Sequence, residues 1–135
     1  MEKLPDRIVY VDDDLDMREI IRQVFERAEY EGAFATCSSG QELLSRLRVL
    51  QPELILLDLV MPDMDGPDVL EKLQLSEEGK LASVIFMTGH TKLEMTEHYK
   101  KLGVIGVIHK PYEIGELLKI IEDIWCSKVS EEDDD

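Results

Sequence analysis

The chain has 135 residues, with 30 Asp and Glu against 15 Lys and Arg and a formal net charge of −15. Because nucleic-acid binding needs clustered Lys and Arg to meet the phosphates, this composition argues against a nucleic-acid partner. No apolar run reaches the ~18 residues of a membrane span, and the first residues lack the apolar stretch of a signal peptide. We therefore expect a single cytoplasmic domain without a membrane partner.

Five short apolar runs predict β-strands. Four of them are continuous rather than alternating, which is typical of strands covered on both faces of a parallel sheet. The second run, AFATC, alternates more and fits an edge strand. In chain order the runs are residues 8–11, 33–37, 54–57, 84–87 and 104–108.

A helical pattern follows each of these strands. Apolar residues at helical spacing between residues 17–28, and again between 114–125, predict helices that each bury one face. Helix starts are marked by capping-box spacing or by proline in a first turn. These signals are Ser39 with Glu42, Thr91 with Glu94, and Asp65-Gly66-Pro67.

The alternation of strand and helix predicts the fold class. It implies an α/β protein with helices on both faces of a parallel sheet, and right-handed crossovers leave few topologies. A flavodoxin-like (βα)5 sheet with strand order 2-1-3-4-5 fits best. We expect residues 1–6 to precede the domain, residues 7–127 to form it, and the acidic residues 128–135 to be a disordered tail.

Polar residues follow four of the predicted strands. Since parallel strands all end at one edge of the sheet, these residues are expected to be neighbours. Two carboxylates about 5 Å apart repel by roughly 3 kcal/mol at an effective dielectric near 20. A shared proton or a bound Mg²⁺ would offset that repulsion. The residues are Asp12, Asp13 and Asp14 after the first strand, Asp58 after the third, Thr88 after the fourth and Lys110 after the fifth.

The residue types at this edge suit phosphoryl transfer onto an aspartate. A carboxylate serves as nucleophile, while the Thr88 hydroxyl and the Lys110 ammonium are donors suited to phosphoryl oxygens. Each residue alone also fits a plain structural role. Asp13 and Asp14 could cap a helix, Asp58 could begin a turn, Thr88 could cap the next helix, and Lys110 could be a surface lysine. Their convergence on one edge favours the phosphoryl site.

Four motifs, VDDD, LLDLVMPDMDG, MTGH and HKPY, stand in this order along the chain. Together they resemble the receiver domains of two-component response regulators, whose fold is that of the chemotaxis response regulator. The resemblance covers about residues 7–126. It implies a phosphoprotein of a two-component or phosphorelay signal transduction system, phosphorylated by a sensor histidine kinase or a histidine phosphotransfer protein.

The resemblance also implies residue roles. Asp58 would be the phosphoacceptor, and Asp12 and Asp13 would hold Mg²⁺ (or Mn²⁺) together with Asp58 and the backbone carbonyl of Val60. Asp13 would be a direct ligand and Asp12 would act largely through water. Thr88 would follow the phosphoryl group on activation, and Lys110 would pair with the aspartate or its phosphate.

Four further positions bear on the lifetime and the switch. By resemblance, Val60 and His90 flank the path of the hydrolytic water and set the phosphoryl lifetime. The resemblance also implies a cis peptide bond between Lys110 and Pro111, a form accessible mainly to proline. Val107 stands where many receivers carry a Tyr or Phe that rotates inward as the Thr moves. The aromatic half of the usual coupling between the Thr and an aromatic ring is therefore missing here.

Only ten residues follow Trp125, too few for a DNA-binding or enzymatic output domain. We therefore expect a stand-alone receiver that catalyses only its own phosphorylation and dephosphorylation and is not otherwise an enzyme. Its output would be protein contact through the face of the fourth helix, fifth strand and fifth helix, with a homodimer left open. Candidate contact residues are Tyr99, Lys100, Val107 and Ile120.

Two alternatives use the same residues. A small haloacid-dehalogenase-like phosphatase would use Asp12 as nucleophile and Asp14 as general acid, although Asp16 stands where that family prefers Thr or Val. A receiver with a degenerate site would act purely as an interaction module. Phosphorylation tests on Asp12 and Asp58 variants separate these alternatives.

Overall fold

The computed structural model describes residues 4–59, 61, 64–89, 96–110 and 112–133, with side chains described as far as residue 128. Its centre is a parallel five-stranded sheet with strand order β2-β1-β3-β4-β5. The predicted fold and strand order are therefore confirmed. The strands are β1 (Arg7–Val11), β2 (Ala33–Cys37), β3 (Leu54–Asp58), β4 (Ser83–Thr88) and β5 (Val104–His109).

Helices connect the strands and cover both faces of the sheet. They are α1 (Leu15–Arg27), α2 (Gly40–Leu50), α3 (Gly66–Leu73), α4 (Glu77–Leu81), α5 (Glu97–Lys101) and α6 (Leu117–Asp133), with a 3₁₀ turn at Ile114–Glu116 before α6. The sequence pattern did not predict α4, because a helix this short shows no apolar periodicity. None of the helices in the described part of the chain is long and apolar enough to cross a bilayer.

Side-chain caps explain where two predicted helices begin. The Ser39 hydroxyl accepts the Glu42 N–H at 3.0 Å at the start of α2. Asp65 accepts the Asp68 N–H at 3.0 Å at the start of α3, where proline lies in the first turn. Both caps satisfy N–H groups that the helix itself leaves without partners. The predicted start at Thr91 and Glu94 lies outside the described residues.

Apolar strand residues are buried on both faces of the sheet, as continuous hydrophobic runs predict. One face packs against α2 and α3 and contains Val9, Val11 and Phe86. The opposite face packs against α1 and α6 and contains Ile8 and Tyr10. Each central strand thus supplies alternate residues to two hydrophobic clusters, which hold the carboxyl ends of the strands in one place.

Three details differ from the sequence-based prediction. α6 continues to Asp133, so residues 128–133 are helical where a disordered tail was predicted. Extending an existing helix adds one hydrogen bond per residue, and the Lys128 ammonium lies 4.8 Å from the Trp125 ring centroid. Ile120 is half-buried against the α1 and α6 cluster rather than exposed. Ile20, predicted on the buried stripe of α1, is 41% exposed.

Candidate functional site

Strand register brings the predicted site residues to one edge of the sheet. Asp58 is paired with Met87, and Thr88 with His109. The ladder continues just past the strands, because the Asp12 N–H donates to Cys37 O at 3.1 Å and the Lys110 N–H to Thr88 O at 2.6 Å. These backbone bonds place the residues that follow each strand beside one another.

Three carboxylates converge at this edge. Asp12, Asp13 and Asp58 each offer an oxygen, and the three oxygens lie within 4.8 Å of one another. Asp12 is buried, with 2% of its surface exposed, whereas Asp13 is exposed and Asp58 is intermediate. The cluster therefore runs from the interior to solvent, as an open cation site requires.

Asp12 is held by its surroundings. The Tyr10 hydroxyl donates to Asp12 Oδ2 at 2.6 Å, and the Asp14 N–H donates to Asp12 Oδ1 at 3.0 Å. The Arg18 guanidinium donates to the Asp12 carbonyl at 2.7 Å. Both carboxylate oxygens and the main chain of Asp12 thus have fixed positions.

A lysine and a threonine complete the described part of the site. Lys110 Nζ lies 3.7 Å from Asp58 Oδ1, and the Asp58 side chain is 13% exposed. Thr88 ends β4 with 2% exposure. Both residues therefore lie at the edge of the sheet where the parallel strands end, as predicted. Val60, His90 and Pro111, and with Pro111 the expected cis peptide bond, lie outside the described residues.

Two tyrosine hydroxyls lie near the acidic cluster. Burial, the hydrogen bond to Asp12 and the negative charge of Asp12 raise the pKa of Tyr10 well above the usual value. Burial raises the pKa of Tyr112 to about 12, with the charges of Asp12 and Asp58 contributing. The Tyr112 hydroxyl oxygen is buried and has no hydrogen-bond partner in the described part of the chain. Both phenols are therefore neutral near pH 7.

Comparison with known families agrees with this geometry. The model of the response regulator receiver domain matches residues 8–122. This chain belongs to the response regulator receiver domain family. It is thus a receiver domain of the kind used in phosphorylation-based two-component signalling.

Curated relatives include proteins of different lengths. Sporulation initiation phosphotransferase F of Bacillus subtilis is 31% identical over 112 residues, which cover 83% of this chain and 87% of that protein. The DNA-binding transcriptional regulator NtrC of Salmonella typhimurium is 35% identical over 115 residues, covering 83% of this chain but 23% of that protein. The match to NtrC therefore concerns only a small part of that regulator.

Solved structures support the fold. The Vibrio cholerae chemotaxis response regulator CheY4 has a TM-score of 0.76 and 22% identity, covering 90% of this chain and 99% of that one. The receiver domain of a LuxO repressor protein from Vibrio parahaemolyticus has the same TM-score and identity and covers 96% of both chains. At this level of identity the likeness concerns the fold alone.

The acidic cluster of this receiver has the chemistry of a divalent-cation site. The described residues bring three carboxylates together with one nearby ammonium, that of Lys110. Hard carboxylate oxygens around an open position suit Mg²⁺, which retains several of its waters. Asp12, Asp13 and Asp58 could therefore hold such a cation.

Asp14 is a helix cap in this receiver. Its carboxylate accepts the Asp16 N–H at 2.9 Å and the Met17 N–H at 3.3 Å at the start of α1. An exposed carboxylate engaged in this way is favoured by the helix dipole. The geometry thus gives Asp14 a structural role.

Sequence reasoning missed two residues that fix Asp12. Tyr10 lies inside the apolar run IVYV and was therefore interpreted as a core residue, although a buried tyrosine hydroxyl needs a hydrogen-bond partner. That need was the available signal. Nothing in the sequence pattern pointed to Arg18, since its bond to the Asp12 carbonyl depends on how α1 packs against the sheet.

Proposed function

We propose that this receiver accepts a phosphoryl group on Asp58 in a Mg²⁺-dependent reaction in the cytoplasm. The donor would be the phosphohistidine of a sensor histidine kinase or of a histidine phosphotransfer protein. The main support is the placement of Asp58 close to both the carboxylates of Asp12 and Asp13 and the ammonium of Lys110. Such a site can bind a cation and a phosphoryl group together.

In the proposed step an Asp58 carboxylate oxygen forms a bond to phosphorus. The N–P bond of the phosphohistidine breaks, and its electron pair stays on the departing imidazole nitrogen. Mg²⁺, when bound, would neutralise charge on the phosphoryl oxygens. Lys110 is placed to pair with the new phosphoryl charge, and Thr88 offers a hydroxyl donor at the same edge.

The metal roles proposed for Asp12 and Asp13 differ. Asp12 already accepts a hydrogen bond at each oxygen, which favours contact through a metal-bound water. Asp13 is exposed and so suits a direct ligand. The carbonyl of Val60 is proposed as a further ligand, and Val60 and His90 as the residues that set the phosphoryl lifetime. Mn²⁺ should replace Mg²⁺, since it shares the preference for oxygen ligands.

The proposed output is phosphorylation-dependent contact with another protein through α5, β5 and α6. Tyr99 on α5 packs edge-on against Phe86 of β4, with ring centroids 5.4 Å apart. Val107 packs against the same hydrophobic cluster. A change at Thr88 could thus reach this face through packing, without an aromatic residue at position 107. We also propose that residues 7–127 form a stand-alone receiver domain with no other enzymatic activity.

The test is incubation of the full chain with acetyl phosphate and Mg²⁺, followed by intact mass spectrometry. One added phosphoryl group is expected, and Asp58→Ala should lose it. Glu53→Ala is the matched control, because Glu53 directly precedes β3, at the end away from Asp58, and should leave labelling intact. Undiminished labelling of Asp58→Ala would contradict the assignment.

The same experiment separates the alternatives. A phosphatase that uses Asp12 as nucleophile would lose labelling in Asp12→Asn, keep it in Asp58→Asn, and turn over phosphomonoesters. The hydrogen bonds that occupy both Asp12 oxygens, and the capping role of Asp14, argue against that chemistry. A degenerate interaction module would show no labelling and no Mg²⁺-dependent binding of beryllofluoride.

A further inference from the structure

Tyr10 is a fully buried polar residue of the central sheet. It lies within β1 with 0% exposure, in an otherwise aliphatic stretch. Burying a hydroxyl without a partner is costly, so its hydrogen bond largely decides whether tyrosine is tolerated there. That bond goes to the Asp12 carboxylate, at 2.6 Å.

The bond to Tyr10 fixes one side of a buried carboxylate. Asp12 is 2% exposed, so bulk water contributes little to its solvation. Its other oxygen accepts the Asp14 N–H, which leaves the carboxylate held from both sides. Hydrogen bonds to an ionised acceptor are shorter and stronger than neutral ones. The orientation of Asp12 within the acidic cluster therefore depends on the Tyr10 hydroxyl.

Tyr112 provides an internal comparison. Its hydroxyl lies near the same acids, since the charges of Asp12 and Asp58 both act on it. Unlike Tyr10, it makes no hydrogen bond within the described residues. The chain thus carries one phenol that holds Asp12 and another that does not.

We propose that Tyr10 is a positioning residue of the cation site, whose hydroxyl holds Asp12 in the orientation that contributes to divalent-cation binding. The inference rests on the proposed function and extends the site inward from the three carboxylates. Groups that orient metal ligands commonly change metal affinity by about 10- to 100-fold when they are removed. Because the role of Asp12 is indirect, the lower end of that range is expected.

The first experiment is calorimetric titration of the full chain with MgCl₂ alone. Tyr10→Phe removes one oxygen and keeps the ring, and it should weaken Mg²⁺ binding about 10-fold. Tyr112→Phe is the matched control and should keep the wild-type affinity, because among the described residues its hydroxyl orients no carboxylate. Tyr30→Phe loses a phenol hydrogen bond to the Pro5 carbonyl, away from the site, and should lower stability without changing Mg²⁺ affinity.

A kinetic readout separates positioning from general loss of structure. In Tyr10→Phe the Mg²⁺ concentration that gives half-maximal phosphorylation by acetyl phosphate should rise about 10-fold, while the rate at saturating Mg²⁺ returns close to the wild-type value. In an Asp12→Asn background, Tyr10→Phe should have little further effect on Mg²⁺ affinity. Full additivity of the two changes would contradict the inference.

If Tyr10→Phe does not fold, the wild-type protein still tests the idea. The Tyr10 hydroxyl proton should exchange slowly, be observable by NMR, shift on addition of MgCl₂, and disappear in Asp12→Ala. A Tyr10 proton that Mg²⁺ leaves unmoved, or equal Mg²⁺ affinities for wild type and Tyr10→Phe, would overturn this inference alone. Failure of the wild type to bind Mg²⁺ would overturn both this inference and the proposed metal site.

Discussion

At the amino ends of β1 and β3, charged groups are paired. Arg7 Nη1 lies 3.8 Å from Glu53 Oε1, and the same Glu53 oxygen accepts the Asp6 N–H at 3.0 Å. At the carboxyl ends of the same strands, three carboxylates lie within 4.8 Å of one another, and among the described residues Lys110 is the cation paired with them. Charged residues thus form a stabilising ion pair at the amino ends of the strands, whereas at the carboxyl ends like charges lie close together.

Tyrosine hydroxyls show the same contrast. At the amino end Tyr30 donates to the Pro5 carbonyl and so ties down the chain entering β1. At the carboxyl end Tyr10 donates to a carboxylate of the acidic cluster. A binding site is thus made from ordinary residues whose charges are left unbalanced, whereas a structural region balances its charges.

The largest expected effect is removal of the cation. Replacing Mg²⁺ by EDTA should slow phosphorylation by acetyl phosphate at least about 100-fold, because a metal supplies several kcal/mol of charge stabilisation. The rate is followed by intact mass spectrometry over time. Equal phosphorylation rates in EDTA and in Mg²⁺ would show that the acidic cluster does not need a divalent cation for phosphorylation.

The next effect concerns stability. Without Mg²⁺, Asp13→Asn should raise the free energy of unfolding by roughly 1 kcal/mol after allowance for solvent screening, or about 4 °C in Tm. Relief of repulsion from Asp12 and Asp58 is the cause. Thermal melting at low salt measures it, and the gain should shrink at 1 M NaCl (~3 Å screening length). A lower Tm for Asp13→Asn would mean that the cluster is not electrostatically strained.

Alkaline pH should destabilise the protein through its buried tyrosines. The pKa of Tyr112 is raised to about 12 in the folded state, from 10.0 when unperturbed. Its contribution is therefore fully present below pH ~10 and lost as the pH rises toward ~12, and the loss at pH 10.5 is about 0.8 kcal/mol. Urea unfolding between pH ~8 and ~10.5 measures this loss, which should be smaller in Tyr112→Phe. An identical pH dependence in that variant would contradict the assignment.

The smallest effect belongs to the paired end. Glu53→Gln should lower the free energy of unfolding by only about 0.5 kcal/mol, since its partner Arg7 is exposed and surface ion pairs contribute little. Phosphorylation and Mg²⁺ affinity should be unchanged. Chemical denaturation measures the stability change. Loss of phosphorylation in this variant would contradict a purely structural role for the amino end of the sheet.

The strands, their order and the edge at which polar residues meet could all be predicted from the sequence. Continuous apolar runs and helical periodicity are local signals, and parallel strands must end on one side, so Asp12, Asp58 and Lys110 could be placed together without coordinates. Residue types then indicated phosphoryl chemistry. Short elements such as α4, and the extension of α6 to Asp133, left no comparable periodic signal.

The contacts that orient the site residues come from the packed tertiary structure. The bond from Tyr10 to Asp12, the bond from Arg18 to the Asp12 carbonyl, and the 3.7 Å distance from Lys110 to Asp58 depend on strand register and helix packing. Hydrogen bonds are short-ranged and directional, so displacements of about 1 Å make or break them. A sequence pattern places residues on an edge of the sheet, whereas the packed fold orients their atoms.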